Sequence, residues 1–260
     1  MKIGFIGTGD IAEAVITGIM CADFPVEEIS VSARSRHISS RLSETYDIVR
    51  VFEENQQVID SGCDLVFLAV LPQQAKEVLE PLQFCDGQEV ASLIATIPVE
   101  QIADWSGATG LITRAVPLPP VAELRAVTVL SGPSERLETL FERLGGVIVA
   151  QSLEQLNALS IATTMMGTVF GIQETVTEWM GQQGVCEPDA RRFVSSLFLA
   201  LAKTGVDADR TFAELRRAHS TPGGLNAQTF EVFSEEGGRD ALTKALESVL
   251  SRTLAASDKS

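Results

Sequence analysis

Histidine, tyrosine and cysteine are scarce in this sequence. Its 260 residues include two histidines (His37 and His219), one tyrosine (Tyr46) and four cysteines (Cys21, Cys63, Cys85 and Cys186). The cysteines are far apart and form no C-x-x-C pair, so no metal site is expected; they read as free buried thiols in a reducing cytoplasm. Long apolar runs are also missing. Although 45% of the residues are hydrophobic, no stretch approaches the ~20 apolar residues that cross a bilayer. Basic residues are outnumbered 35 to 20, giving a formal net charge of −15. Such a chain repels polyanions, so neither nucleic acid nor an anionic membrane is expected as a partner. The sequence opens directly on a strand-like segment, which leaves no room for a signal peptide. A cytoplasmic protein is expected, with one large or two smaller domains.

The first dozen residues organise the rest. Ile3, Phe5 and Ile6 form a short apolar run that predicts a buried strand, and Ile11–Met20 is amphipathic. Between them, Gly7-Thr8-Gly9-Asp10-Ile11-Ala12 fits G-x-G-x-x-A. Strand, glycine turn and helix in that order form the dinucleotide-binding fingerprint of Rossmann domains. The first glycine permits the tight turn, and the second lets backbone approach a pyrophosphate. The alanine keeps helix close to strand, and the helix N-terminus offers free N–H groups to the phosphates. A glycine turn serving only packing is the alternative.

A second strand is predicted over 28–33, ending in Arg34-Ser35-Arg36. An NAD-binding fold places a carboxylate near this point for the ribose 2′-OH. Arginines stand here instead, and guanidinium forks suit a 2′-phosphate. NADP(H) is therefore the expected cofactor, with NAD left open; a solvated basic turn is the other reading. Further strands are predicted over 48–51, 64–70, 89–95, 111–116, 127–130 and 145–150. Helices are predicted between most of them, and a proline-rich turn spans 116–121. This alternation predicts a doubly wound parallel sheet over residues 1–150.

Residues 151–260 contain no convincing strand. One long apolar helix is predicted over 153–180, then helices over 188–203, 211–217, 226–235 and 239–254, and a frayed tail over 255–260. The fold class is thus α/β: a Rossmann sheet domain, 1–150, followed by an all-α domain, 151–260. So long an apolar helix exceeds what about 110 residues need for their own core, so dimerisation is expected, with a monomeric bundle as the alternative.

Several segments together resemble the pyrroline-5-carboxylate reductase family over nearly the full length. They are Ile3–Ala12, Asp64–Pro72, Arg114-Ala-Val-Pro-Leu-Pro-Pro120 and, most specific, Thr221-Pro-Gly-Gly224 followed by Phe230–Arg239. The resemblance implies NAD(P)H-dependent reduction of the cyclic imine 1-pyrroline-5-carboxylate to L-proline, by a homodimer or higher homo-oligomer with interlocked C-terminal helices. Carried over, Gly7, Thr8, Gly9, Asp10 and Ile11 would contact the pyrophosphate. Ser32, Arg34 and Asn55 would serve the adenosine half, and Ala69, Val70 and Pro72 would line the route to the nicotinamide. Thr221, Pro222, Gly223 and Gly224 would receive the substrate carboxylate. Asn226 stands where the family has a threonine that hydrogen-bonds the substrate nitrogen, which makes Thr221 and Asn226 the candidate catalytic pair. The chain also departs from the family pattern. Leu71 replaces a lysine, Val116-Pro117-Leu118 replaces methionine-proline-asparagine, Ala95-Thr96 replaces alanine-glycine, and Leu225-Asn226 replaces a threonine pair. Ser160–Met166 replaces a serine- and glycine-rich helix start. These departures mark a divergent member. A reductase of another imine and a catalytically silent NADP-binding dimer are the alternatives.

The chemistry implied demands little of the protein. A protonated C=N is already electrophilic, so positioning and exclusion of water suffice. A substrate carboxylate needs N–H donors, which Pro222-Gly223-Gly224 ahead of a helix can supply. The same residues also suit a plain cap, with Thr221 at the N-cap and Pro222 at the first helical position. Asn226 can donate and accept, or it can be a surface residue. An unperturbed histidine titrates near neutrality, yet His219 reads better as a packed side chain than as a proton donor. β-Hydroxyacid dehydrogenases share this two-domain plan but need a lysine on the long helix; none occurs between Gln151 and Ala202.

Overall fold

The computed structural model describes residues 1–257, which form two compact units: 1–160 together with 252–257, and 161–251. In the first unit, eight strands form one sheet in the order β3-β2-β1-β4-β5-β6-β7-β8. These are β1 (Lys2–Ile6), β2 (Glu28–Ser32), β3 (Val49–Phe52), β4 (Leu65–Leu68), β5 (Glu89–Ser92), β6 (Ile112–Val116), β7 (Thr128–Leu130) and β8 (Val147–Val149). The helices between them are α1 (Asp10–Cys21), α2 (Arg36–Thr45), α3 (Asn55–Asp60), α4 (Pro72–Leu79), α5 (Val99–Ser106) and α6 (Glu135–Arg143).

Apolar residues on both sides of each central strand explain why helices cover both faces. Ile3, Phe5, Leu65 and Phe67 join one buried cluster with Val15, Ile16 and Phe141. Ile6, Val66, Leu68 and Val90 join another with Val58, Ala75 and Ile102. Phe5 stacks on Phe67 with ring centroids 4.7 Å apart, and Phe141 meets Phe67 edge-on at 6.3 Å. Each such buried aromatic contributes roughly 1.5–3 kcal/mol by leaving water.

Two expectations need correction. The sheet is not wholly parallel, because β7 runs antiparallel to β6 with Ala115 opposite Leu130. The segment joining them holds only a five-residue 3-10 helix, Pro119–Glu123, where a parallel crossover is usually built on an α-helix. The long helix predicted over 153–180 is two helices, α7 (Leu153–Ala162) and α8 (Met165–Gln182). The Ile161 carbonyl accepts from the Thr164 N–H at 2.9 Å and the Thr164 hydroxyl at 2.7 Å. A hydroxyl that competes for a helical carbonyl in this way favours a break.

The second unit is helical throughout: α8, α9 (Glu187–Asp207), α10 (Phe212–Ala218), α11 (Leu225–Glu235) and most of α12 (Gly238–Ser257). It is thinly cored. α8 has no fully buried residue, and α9 buries only Ala190 and Val194. Phe170, Trp179, Phe193, Leu199 and Phe212 are exposed. α12 is helical to Ser257, where a frayed tail was predicted; residues 258–260 lie outside the described residues. No helix among the described residues is long and apolar enough to cross a membrane.

Candidate functional site

The order β3-β2-β1-β4-β5 means that successive connections leave β1 in opposite directions. The crevice beyond the C-terminal ends of β1 and β4 is where open α/β sheets take ligands. A cleft of 510 Å³ lies there. It brings together Gly7, Thr8, Gly9 and Asp10 after β1, Arg34 after β2, and Ala69 and Val70 after β4. Those seven were predicted from sequence. Ser35, His37, Ile38, Leu71 and Gln74 also line the cleft and were missed as site residues. Ser35 and His37 follow Arg34 closely enough to have been found. Leu71, marked in the sequence only by standing where the family has a lysine, is 63% exposed just beyond β4.

The turn itself is fixed from below. Gly7 has φ +91°, and a Cβ on it would lie 2.5 Å from the Ala69 carbonyl oxygen. Only glycine meets both conditions. The Gly7 N–H donates to Ser32 Oγ at 2.9 Å, and Thr8 Oγ1 donates to the Ser32 carbonyl at 2.7 Å. Ser32 is buried, so it braces the loop and lines only the adjoining cleft of 350 Å³ with Asn55 and Arg34. Ile11 and Pro72 are half-buried and do not line the main cleft.

These residues fit a dinucleotide. The start of α1 has Gly9 as N-cap and receives no side-chain cap, so its first-turn N–H groups remain available. A Cβ on Gly9 would meet no atom within 4 Å, so the space before the loop is open. Asp10 is the like charge on this turn; it is exposed, where water and salt screen it. Arg36 is engaged by Glu53 at 3.0 Å, whereas Arg34 has no ion pair among the described residues and lines three adjoining clefts.

In the second unit, Thr221–Gly224 is a tight turn ahead of α11. The Gly224 N–H donates to the Thr221 carbonyl at 2.8 Å, and Gly223 has φ +70°. Proline second and glycine third with positive φ is the pattern of a type II turn. The expected alternative of a Thr221 cap is corrected here. Gly224 is the N-cap, no side chain caps the helix, and Pro222 sits within the turn. The first N–H groups of α11 are therefore uncapped. Asn226 Nδ2 donates to the His219 carbonyl at 2.8 Å, tying the helix start back to the end of α10. His219 is exposed rather than packed, and its Nδ1 lies 2.8 Å from the Leu215 carbonyl.

The sheet topology, the braced glycine turn and the unpaired arginine define a dinucleotide-binding oxidoreductase domain followed by a helical unit. Residues 2–96 match the family described as NADP oxidoreductase coenzyme F420-dependent, and residues 153–255 match pyrroline-5-carboxylate reductase dimerisation. Over nearly its full length the chain is similar to pyrroline-5-carboxylate reductases. It is 26% identical to the Vibrio alginolyticus pyrroline-5-carboxylate reductase over 96% of both chains. The Coxiella burnetii pyrroline-5-carboxylate reductase structure is 25% identical, with a TM-score of 0.86, covering 98% of this chain and 97% of that one. The fold is shared with the Plasmodium falciparum pyrroline carboxylate reductase solved with NADP bound, at 16% identity, a TM-score of 0.80 and 98% coverage of both chains.

Proposed function

We propose that this chain reduces 1-pyrroline-5-carboxylate to L-proline with NADPH. One arrangement carries the reading: the braced Gly7–Gly9 turn and the unpaired Arg34 share one cleft, in a chain related end to end to enzymes of that name. Residues 1–150 serve as the NADP-binding domain and 151–260 as the substrate and dimerisation domain. When bound, NADPH supplies the hydride.

Every other contribution comes from this chain. Backbone N–H groups of Thr8, Gly9, Asp10 and Ile11 face the pyrophosphate, and Ser32 holds their loop in shape. Arg34 takes the 2′-phosphate by charge-assisted hydrogen bonds, with Asn55 beside it. Ala69, Val70 and Pro72 line the way to the reacting end. The Gly223 N–H and the uncapped N–H groups of the first turn of α11 take the substrate carboxylate, with Gly224 as N-cap and Thr221 and Pro222 setting the turn. Asn226 commits Nδ2 to the His219 carbonyl, which leaves Oδ1 to accept a hydrogen bond from the protonated imine nitrogen.

The exposed apolar side chains of the helical unit, Phe193 and Phe212 among them, support a homodimer. The charge of −15 speaks against nucleic acid and anionic membranes as partners, and four unpaired thiols, of which only Cys63 is buried and not all four as expected, suit the cytoplasm. Purified protein mixed with NADPH and racemic 1-pyrroline-5-carboxylate should oxidise the cofactor and form proline. Tight NADPH binding without turnover of this imine would overturn the reading.

A further inference from the structure

Arg114 on β6 is a buried cation without a counter-ion. The residue is only 8% exposed, and no carboxylate lies within ion-pairing distance among the described residues. Its Nη1 and Nη2 donate to the carbonyls of Ala95 and Ile97 at 3.3 and 3.0 Å, and its buried Nε has no hydrogen-bond partner. Burial holds its pKa below the usual arginine range, with Glu100 opposing that shift. Structural arginines at this depth are normally paired, because an uncompensated buried charge is costly.

Arg114 lines a cavity of 270 Å³ within the first unit, with residues that include Ser131, Asn157 and Leu156. Two helices begin on this cavity: α5, with Val99 and Glu100 in its wall, and α7, with Leu153. Pro98, the N-cap of α5, cannot cap by side chain, so the first N–H groups of that helix lack a side-chain acceptor. α7 is capped by Ser152, whose Oγ accepts from the Gln155 N–H at 3.3 Å, so a fixed positive charge and the one open dipole end of α5 converge on this cavity. None of its lining residues belongs to the glycine cleft or to the Thr221–Gly224 turn.

We propose that this cavity is a second anion site, built to take a small organic monocarboxylate. The charge balance selects that class. One guanidinium and the open end of α5 face the exposed carboxylate of Glu100 in the wall, so a single negative charge is matched and a phosphate dianion is over-charged. Leu153, Leu156, Val99 and Pro98 supply apolar wall for a short carbon chain. Asn157, half-buried and without a hydrogen-bond partner among the described residues, adds a donor and an acceptor. Free inorganic phosphate is the competing anion, and the test separates the two.

Isothermal titration of the full chain, without cofactor or imine, at constant ionic strength, uses acetate, butyrate and inorganic phosphate as probes. Butyrate is expected to bind more tightly than acetate, and both more tightly than phosphate. Arg114→Met should weaken butyrate about tenfold or more, the scale of a lost charged hydrogen bond. Should that variant fail to fold, Asn157→Leu on the surface of α7 weakens butyrate without touching the arginine. Glu100→Gln should tighten butyrate several-fold by removing the like charge. Preferential phosphate binding, no binding of any probe, or insensitivity of butyrate to Glu100→Gln and Asn157→Leu would each overturn the assignment. Because neither NADPH nor imine is present, the result stands apart from whether the chain reduces the imine.

Discussion

Two turns in this molecule do similar work by different means. Gly7–Asp10 and Thr221–Gly224 both precede a helix, both have glycine as N-cap, and neither receives a side-chain cap. The first is held by residues distant in sequence: Ser32 engages it twice, and the Ala69 carbonyl sits where any side chain on Gly7 would go. The second is held locally, by the Gly224–Thr221 backbone bond and the Asn226–His219 tether, and its residues are largely exposed. A turn embedded in a sheet is preorganised by the fold. A turn closed only by its near neighbours has its stability set by those few bonds, and substitutions there should alter binding more than folding.

The largest expected effect is at Gly7. Gly7→Val places a branched side chain at φ +91°, 2.5 Å from a backbone oxygen, and should cost about 3 kcal/mol or more along with NADPH binding. Denaturant unfolding and a fluorescence titration with NADPH read both. Ser32→Ala comes next: the buried Gly7 N–H loses its acceptor, a loss of about 1–3 kcal/mol that the same unfolding experiment measures. Arg34→Glu should leave the unfolding midpoint unchanged and weaken NADPH about tenfold or more relative to NADH, since a charge-assisted contact is exchanged for repulsion. Equal loss for both cofactors would show that Arg34 does not read the 2′-phosphate. The smallest structural effect is expected at Gly224. A Cβ there meets Thr221 Oγ1, an atom that rotation of the side chain can move, and the Thr221 carbonyl at 3.0 Å. Gly224→Ala should raise KM for the carboxylated imine with NADPH affinity intact and stability within about 1 kcal/mol. A loss of stability as large as that of Gly7→Val would erase the contrast between the two turns.

Much of the sheet unit was legible in the sequence, because its signals are local. Apolar runs of four to seven residues between helical segments marked the strands, and Gly7-Thr8-Gly9 marked the turn. Arg34 drew attention by standing where a carboxylate is usual. Ser32 was expected at the site from sequence, but its bracing of the loop was not legible, since that role depends on a contact with Gly7, 25 positions away. Leu71 and Gln74 were missed because a cleft wall has no periodicity of its own. In the helical unit the helices were placed within a few residues, but the break between α7 and α8 was not. Apolar spacing continues across it, and the Thr164 hydroxyl, not a glycine or proline, ends the run.

The sequence by itself determined the order and kind of the elements, the glycine turn and the basic residue beyond β2. Each rests on steric and hydrogen-bonding rules that act over a few residues. Only the tertiary structure decided that β7 runs against β6, that Ser32 supports the cofactor loop from beneath, and that Arg114 is left without a counter-ion where α5 and α7 begin. Those features depend on which distant segments the sheet brings together, and on how burial removes the water that would otherwise satisfy each polar group.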